Sequence, residues 1–417
     1  MTTLTTAVVL ALAASAVEAQ PASKLDATTF VVLGEGLAAG MANFGLSQTV
    51  QAKSFPAQMA QQMQTAFPQP LVQGPGIGIV LGYPSLPVRV PTYRQTRVRI
   101  FPAQTNPNDE HPTLFVFNLA VPGMTVTDSI QRRPSLPLIQ KDGQQTTLNL
   151  ILGFPALILS KQVPLWTQLE YGEAMFPTLA LVELGYYEAL EAAVYQDPTR
   201  LPDPASFGTA YGAIVQGLSS LQAQVVVCTI PDPMDTALFT SPEAAAHLLR
   251  VPVSTLISEY NLKTDDLLTR NALYAIGNQA IRKQPQPLAA GSVMSASLAS
   301  QISGRLNALN AQINAIAGRS GAVVYDLHAL FHRVRVAGIA AGGRILTADY
   351  LGGFYTLDGI YPGTTGHALL ANEVLALLNS TYGGSFPAVD VNTVMSHDPV
   401  VQYRAAGSEA GVERGRN

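Results

Sequence analysis

The chain is 417 residues long, 47% hydrophobic and only 12% charged, with 24 Lys and Arg against 28 Asp and Glu and a net charge of −4. Charged residues supply about a quarter of an ordinary domain, so this surface must lean on Gln, Ser, Thr, Asn and Pro. No basic block is present, so nucleic acid is not an expected partner; the lone cysteine, Cys228, rules out an internal disulfide and a cysteine-built metal site.

The first stretch, "MTTLTTAVVLALAASAVEAQ", has an apolar core over 7–17, and Val17-Glu18-Ala19 forms a small-x-small cleavage pattern. It predicts a secretory signal peptide over 1–19 and a secreted or periplasmic protein, although no Lys or Arg precedes the apolar core. A mobile apolar leader is the alternative. No Cys follows the cleavage site, so no lipid anchor is expected. No later run reaches the ~18 unbroken apolar residues of a membrane span, so integral membrane association is not expected either.

Five short apolar segments read as strands buried on both faces of a parallel sheet: "FVVLG" (30–34), "LFVFNLA" (114–120), "TLALVELG" (178–185), "QVVVCTI" (224–230) and "AVVYDL" (322–327). Cys228 in the fourth reads as a buried strand residue. Helical patterns lie at 54–67, 207–223, 298–321 and 366–383. Alternating strands and helices predict a doubly wound, three-layer α/β/α sandwich around a mainly parallel five-stranded sheet. The chain thus divides into the leader, one domain over 20–385, and a poorly ordered tail over 386–417. Two inserts, near 68–112 and 235–297, break the rhythm and read as a lid or wall over a site.

The first strand runs into Gly34-Glu35-Gly36-Leu37-Ala38-Ala39-Gly40. A strand meeting a helix through glycines can cradle a dinucleotide phosphate, but that use needs a ribose-binding carboxylate about 20 residues on. After Glu35 the next acidic residue is Asp109. The same turn can instead hold a nucleophile. "NLAVPG" (118–123), "LVELGYYEALEAA" (181–193) and "LDGIYPGTTGHALLAN" (357–372) place further loops at the sheet's carboxyl edge, where ligands bind in such folds.

In "NLAVPG", "YDLHALF" and "GHALLAN" the chain resembles the SGNH hydrolases, also called GDSL esterases and lipases, over roughly 28–385. The resemblance implies a flavodoxin-like strand order and an ester-hydrolase site. Block by block, it places Gly36 where the family has its nucleophilic Ser and Gly123 at the oxyanion glycine. Tyr187 stands in for the oxyanion Asn and Glu188 for the adjacent Asp; Asp358 is kept, and Tyr361 replaces the base His. Gly36 has no side chain to attack with, and a phenol with a pKa near 10 is a poor base at neutral pH. Loss of Ser or His alone costs about 10⁶ in turnover where such a triad has been dissected. The resemblance therefore implies a catalytically impaired or inactive protein that either binds a small acyl or glycan ligand or persists as a scaffold.

Other expectations stay open beside it. An active esterase would have to recruit His328, His332 or His367, for which packing roles are favoured. Ser54 reads as a helix cap; Ser47, His111, His247 and His397 have no constellation. Glu35 and Glu188, with Asp358, could do carboxylate acid/base work on glycans, against a structural role in the loops. Tyr186, Tyr187 and Tyr361 are expected to pack the loop cluster. No His pair has metal-ligand spacing beside carboxylates, so neither metal nor cofactor is expected.

Overall fold

A computed structural model describes residues 25–78, 116–153, 165–282 and 284–402. The leader, 79–112 of the first insert and 403–417 of the tail lie outside the described residues.

Unbroken apolar runs leave no polar face, so each is driven to the middle of a sheet covered on both sides. Four of the predicted segments form the sheet: β1 (Phe30–Gly34), β2 (Leu179–Glu183), β3 (Gln224–Cys228) and β7 (Val323–Tyr325), all parallel and adjacent in that order, with β2 and β3 in the middle and β7 half-buried at one side. Val31 pairs with Ala180, Ala180 with Val225, and Val227 with Val324. Cys228 is buried.

The expected fifth strand is a correction. Its described part makes only one bridge, Asn118 to Val32, beside β1. Phe117 and Asn118 both turn their N–H groups back to the Pro68 carbonyl, and the Asn118 side chain donates to Ala38 and Gln69 and accepts from Ala120. The segment still lies along β1, with Val32 N–H donating to the Phe117 carbonyl at 2.8 Å, Leu119 N–H to the Val32 carbonyl at 2.9 Å and Val121 N–H to the Gly34 carbonyl at 3.0 Å, but it does not pair residue after residue as a full strand does. The described main sheet has four strands.

Parallel strands need crossovers, and helices supply them. α1 (Gly36–Ala39) and α2 (Phe55–Met63) follow β1; α3 (Val126–Gln131) follows the Asn118 segment. α4 (Tyr186–Val194) and α5 (Pro204–Ser220) link β2 to β3. The second insert builds β4 (Phe239–Thr240), α6 (Pro242–Leu249), α7 (Val253–Tyr260), β5 (Leu267–Thr269), α8 (Arg270–Arg282) and β6 (Val293–Met294). Then come α9 (Ala296–Ser320), α10 (Leu327–Val336) after β7, α11 (Thr364–Tyr382) and α12 (Val391–Ser396). α5 packs on α9, and α11 on α2. Among the described residues no helix is long and apolar enough to cross a membrane.

Residues 386–402 differ from the expected loose tail. The Asp398 carboxylate accepts from the Thr365 backbone N–H and hydroxyl, both at 2.7 Å, and Val401 is buried. That anchors α12 to the start of α11.

Because the strands are parallel, the turns after Gly34, Glu183, Cys228 and Tyr325 share one edge. β1 is wholly buried, and a β-carbon on Gly172 would lie 2.9 Å from a Leu33 methyl, so Leu33 fills its space tightly. Leu33→Ala should therefore lower the unfolding free energy by about 2–5 kcal/mol in urea titrations.

Candidate functional site at the carboxyl edge of the sheet

The edge is organised by acidic side chains that hold backbone N–H groups. Glu183, the last residue of β2, points its carboxylate at the β1 turn and accepts from Glu35 N–H at 3.3 Å and Ala38 N–H at 3.1 Å. Glu35 caps α1, with Oε1 accepting from Leu37 N–H at 2.8 Å. This occupies the donor a phosphate would need, so the glycine turn is no phosphate cradle. The other Glu35 oxygen accepts from the Tyr361 hydroxyl at 3.1 Å.

Tyr361 is placed by its own loop. Asp358 Oδ1 accepts from Ile360 and Tyr361 N–H groups, each at 2.9 Å, and Oδ2 accepts from Phe44 N–H at 3.2 Å. A bridge between Tyr355 and Pro362 closes the loop. The Tyr186 hydroxyl donates to the Ile360 carbonyl at 3.2 Å, and its ring meets that of Tyr361 edge-on at 6.3 Å. The result decides what Gly36 is for. A β-carbon there would lie 2.5 Å from the Tyr361 hydroxyl oxygen and 2.8 Å from Cζ. Gly36 sits in a helical turn rather than the left-handed region, so space, not backbone freedom, requires glycine.

Beside this group, the Tyr187 hydroxyl accepts from Gln144 Nε2 at 2.6 Å, and the same amide donates to the Gly123 carbonyl at 3.3 Å. Gln144 fills the space next to Gly123, where a β-carbon would lie 2.9 Å from Nε2. Glu188 Oε1 accepts from Val126 N–H at 2.7 Å, while Oε2 has no partner. Gly36, Glu35, Asp358 and Tyr361 thus form one cluster, and Gly123 and Tyr187 a neighbouring one, with the Glu35 charge felt by Tyr187 and Glu188. Glu35, Tyr187, Glu188, Asp358 and Tyr361 are buried and Gln144 is half-buried; tyrosine rings fill the edge. Sequence reading missed Glu183 and Gln144. An acidic residue ending an apolar run at a carboxyl edge is a usable signal for the first; the second, in "DGQQTTL", carries none.

Burial sets the electrostatics. Loss of hydration pushes Glu35 and Glu188 up to about 7, and outweighs the backbone N–H groups that favour their charged forms. Glu183 is raised by burial and then by the Glu35 charge, and Asp358 by burial against its backbone donors. Burial and the Glu35 charge raise the Tyr361 phenol well above its ordinary value, away from any use as a base.

The histidines lie elsewhere. His367 is buried on α11, stacked on Phe55; its Nδ1 accepts from Phe55 N–H at 3.2 Å, and burial lowers its pKa to about 3. His328 Nδ1 is 3.2 Å from the Ile230 carbonyl. His332, exposed, has Nδ1 3.1 Å from the Asp235 carboxylate. Ser54 caps α2, Ser47 precedes a short helix without capping it, and His397 bonds to neighbouring Ser396 and Thr393. His247 lies in the last turn of α6, and His111 is outside the described residues. Among the described residues no group of three or more His, Cys, Asp and Glu is arranged to hold a metal ion.

No protein-family model matches the chain, and no curated protein matches it. A solved structure matches at a TM-score of 0.35 and 11% identity, over 84% of this chain and 95% of its own: LAE5, described as an α/β hydrolase enzyme from the metagenome of Lake Arreo, Spain. The likeness to SGNH hydrolases is therefore corrected. It rested on short phrases, and no family model supports it. What stands is an α/β fold with a parallel sheet.

Two measurements check this edge. Gly36→Ala should destabilise the wild type, and the cost should shrink in a Tyr361→Ala background; a double-mutant cycle in urea reads the coupling. The second concerns pH. A carboxyl raised from 4.5 to about 7 keeps its proton in the fold after the unfolded chain has lost it. Its contribution is full below about 4.5 and is lost as pH climbs to about 7. His367, lowered from 6.5 to about 3, acts oppositely and loses its contribution as pH falls through that range. Glu188→Gln should therefore gain on the wild type by about 3 kcal/mol between pH 4.5 and 7; a constant difference across that window would refute the assignment.

Proposed function

We propose that this protein is an exported, non-catalytic α/β protein that performs no acyl transfer at the carboxyl edge of its sheet and takes a small glycan or acyl ligand there. One observation supports the reading above others: the Tyr361 hydroxyl, bonded to Glu35, stands over Gly36, where an attacking side chain would have to be. A covalent route needs a nucleophile and a base, and the groups gathered at this turn are a glycine, carboxylates and phenols. The hydroxyls of Tyr187 and Tyr361 beside Glu35 and Glu188 suit sugar hydroxyls, which both donate and accept, and so favour a glycan over an acyl chain. Export rests on the apolar leader and its Val17-Glu18-Ala19 pattern.

A second reading, an esterase built on other residues, has one observation in its favour: the His332–Asp235 contact has the form of a base and its orienting carboxylate. Among the described residues no hydroxyl or thiol is hydrogen-bonded to His332, so that pair has no nucleophile to activate. A fluorophosphonate probe and short p-nitrophenyl esters separate the readings. The purified full chain should remain unlabelled and should hydrolyse the esters no faster than buffer. Labelling, or hydrolysis lost on His332→Ala, would favour the esterase.

A further inference from the structure

We propose that the insert over 239–294 is a lid, latched by Arg270 onto the loop that carries the Tyr361 plug, and that its undocking opens the carboxyl edge. The inference concerns access to that edge and does not depend on what binds there. Three observations carry it.

The insert is a body of its own. Its sheet, in the order β4-β5-β6, is antiparallel and separate from the main sheet. Its core, which includes Leu256, Leu268, Leu273 and Ile276, is distinct from the main core, whereas Phe239 and Met294 at its two ends belong to the main one. β4 and β6 flank β5, so the chain enters the insert on one side of β5 and leaves on the other. The insert's own core can stay whole when it undocks, while Phe239, Leu267 and Met294 mark its seat on the main body.

The stem that leads into the insert, part of the main core, packs against the loop that closes the site. The backbone at Ala237 and Leu238, where the chain enters the insert, lies on Gly359: a β-carbon there would be 2.9 Å from the Ala237 carbonyl. Gly359 has φ +74°, and its N–H closes the turn onto Thr356.

Arg270, the first residue of α8, spans the gap. Its guanidinium donates to the Leu357 carbonyl and lies over the Phe44 ring, 4.7 Å from the centroid. Leu357 and Phe44 flank the Asp358 carboxylate, which binds the N–H groups of Phe44, Ile360 and Tyr361. The latch therefore grips both chain segments that Asp358 ties together. Tyr361 hangs from the same loop and reaches Glu35. Undocking the insert takes Arg270 off the Leu357 carbonyl and the Phe44 ring, and the plug loses that outer support.

Hydrogen exchange on the full-length protein tests the coupling, comparing wild type, Arg270→Ala and Arg270→Lys. In Arg270→Ala the amides of Phe44, Ile360 and Tyr361 should exchange roughly tenfold faster, while those within α9 keep wild-type rates. Arg270→Lys, which retains a cation and a donor, should lie between. Unchanged exchange of the three amides in Arg270→Ala would overturn the proposal. So would an equal rise throughout α9, because that reports general destabilisation rather than release of a latch.

Discussion

The carboxyl edge depends on one hydrogen bond, from the Tyr361 hydroxyl to Glu35, made where neither group has water to fall back on. A buried carboxyl left without a donor costs its desolvation, and Tyr361 supplies the donor that the cap to Leu37 does not. The bond fixes the phenol above the β1 turn. That position excludes any side chain at residue 36, and its ring closes the space that a substrate would occupy. Glycine at 36, tyrosine at 361 and glutamate at 35 form one interlocked arrangement, in which each residue is understandable only with the other two.

The same edge shows how a fold can bury acidic groups without burying cations. Glu35, Glu183, Glu188 and Asp358 are held by the N–H groups of turns and helix starts, whose dipoles favour negative charge. Those donors only partly offset lost hydration, so Glu35 and Glu188 sit near neutrality rather than in the ordinary carboxylate range. His367 tunes stability in the other direction from a different place, stacked under Phe55 on α11. The response of the protein to pH is a difference between two buried populations, and mutation at either site shifts it without touching the other.

Much of this was legible in the residues. Four apolar runs became the four parallel strands within a few residues of their expected bounds, because doubly buried strands announce themselves by composition. Gly36, Glu35, Asp358 and Tyr361 stand in the turn and loop phrases that the sequence marks out, but their roles there were tied to a resemblance that does not hold. The partnerships were not legible. Nothing in "DGQQTTL" says that Gln144 will cross to Tyr187, since contacts between distant loops leave no periodic signal. The Asn118 segment read as a strand because its residues suit one; it lies parallel beside β1, but the Pro68 carbonyl accepts the Phe117 and Asn118 N–H groups on its other side and only the Val32–Asn118 bridge forms. Short phrases such as "NLAVPG" were also a weak basis for kinship: they describe a strand ending in a turn, and a turn with Gly123 at φ +80° can arise wherever that geometry is needed.

The position of the plug explains why closure and stability can be separate properties here. The main sheet and the helices that cover it bury their apolar residues in one continuous core that includes β1, β2 and β3. The loop bearing Tyr361 joins that core through Tyr355, Ile360 and Tyr361, while the Tyr355–Pro362 bridge and the Thr356 N–H to Tyr361 carbonyl bond close it on itself. A plug carried on a strand could leave only if the sheet came apart. A plug on a self-closed loop, held from outside by an insert with its own core, can be withdrawn while the sheet stays whole. Separate cores convert the question of whether this edge is reached into one of docking rather than of unfolding.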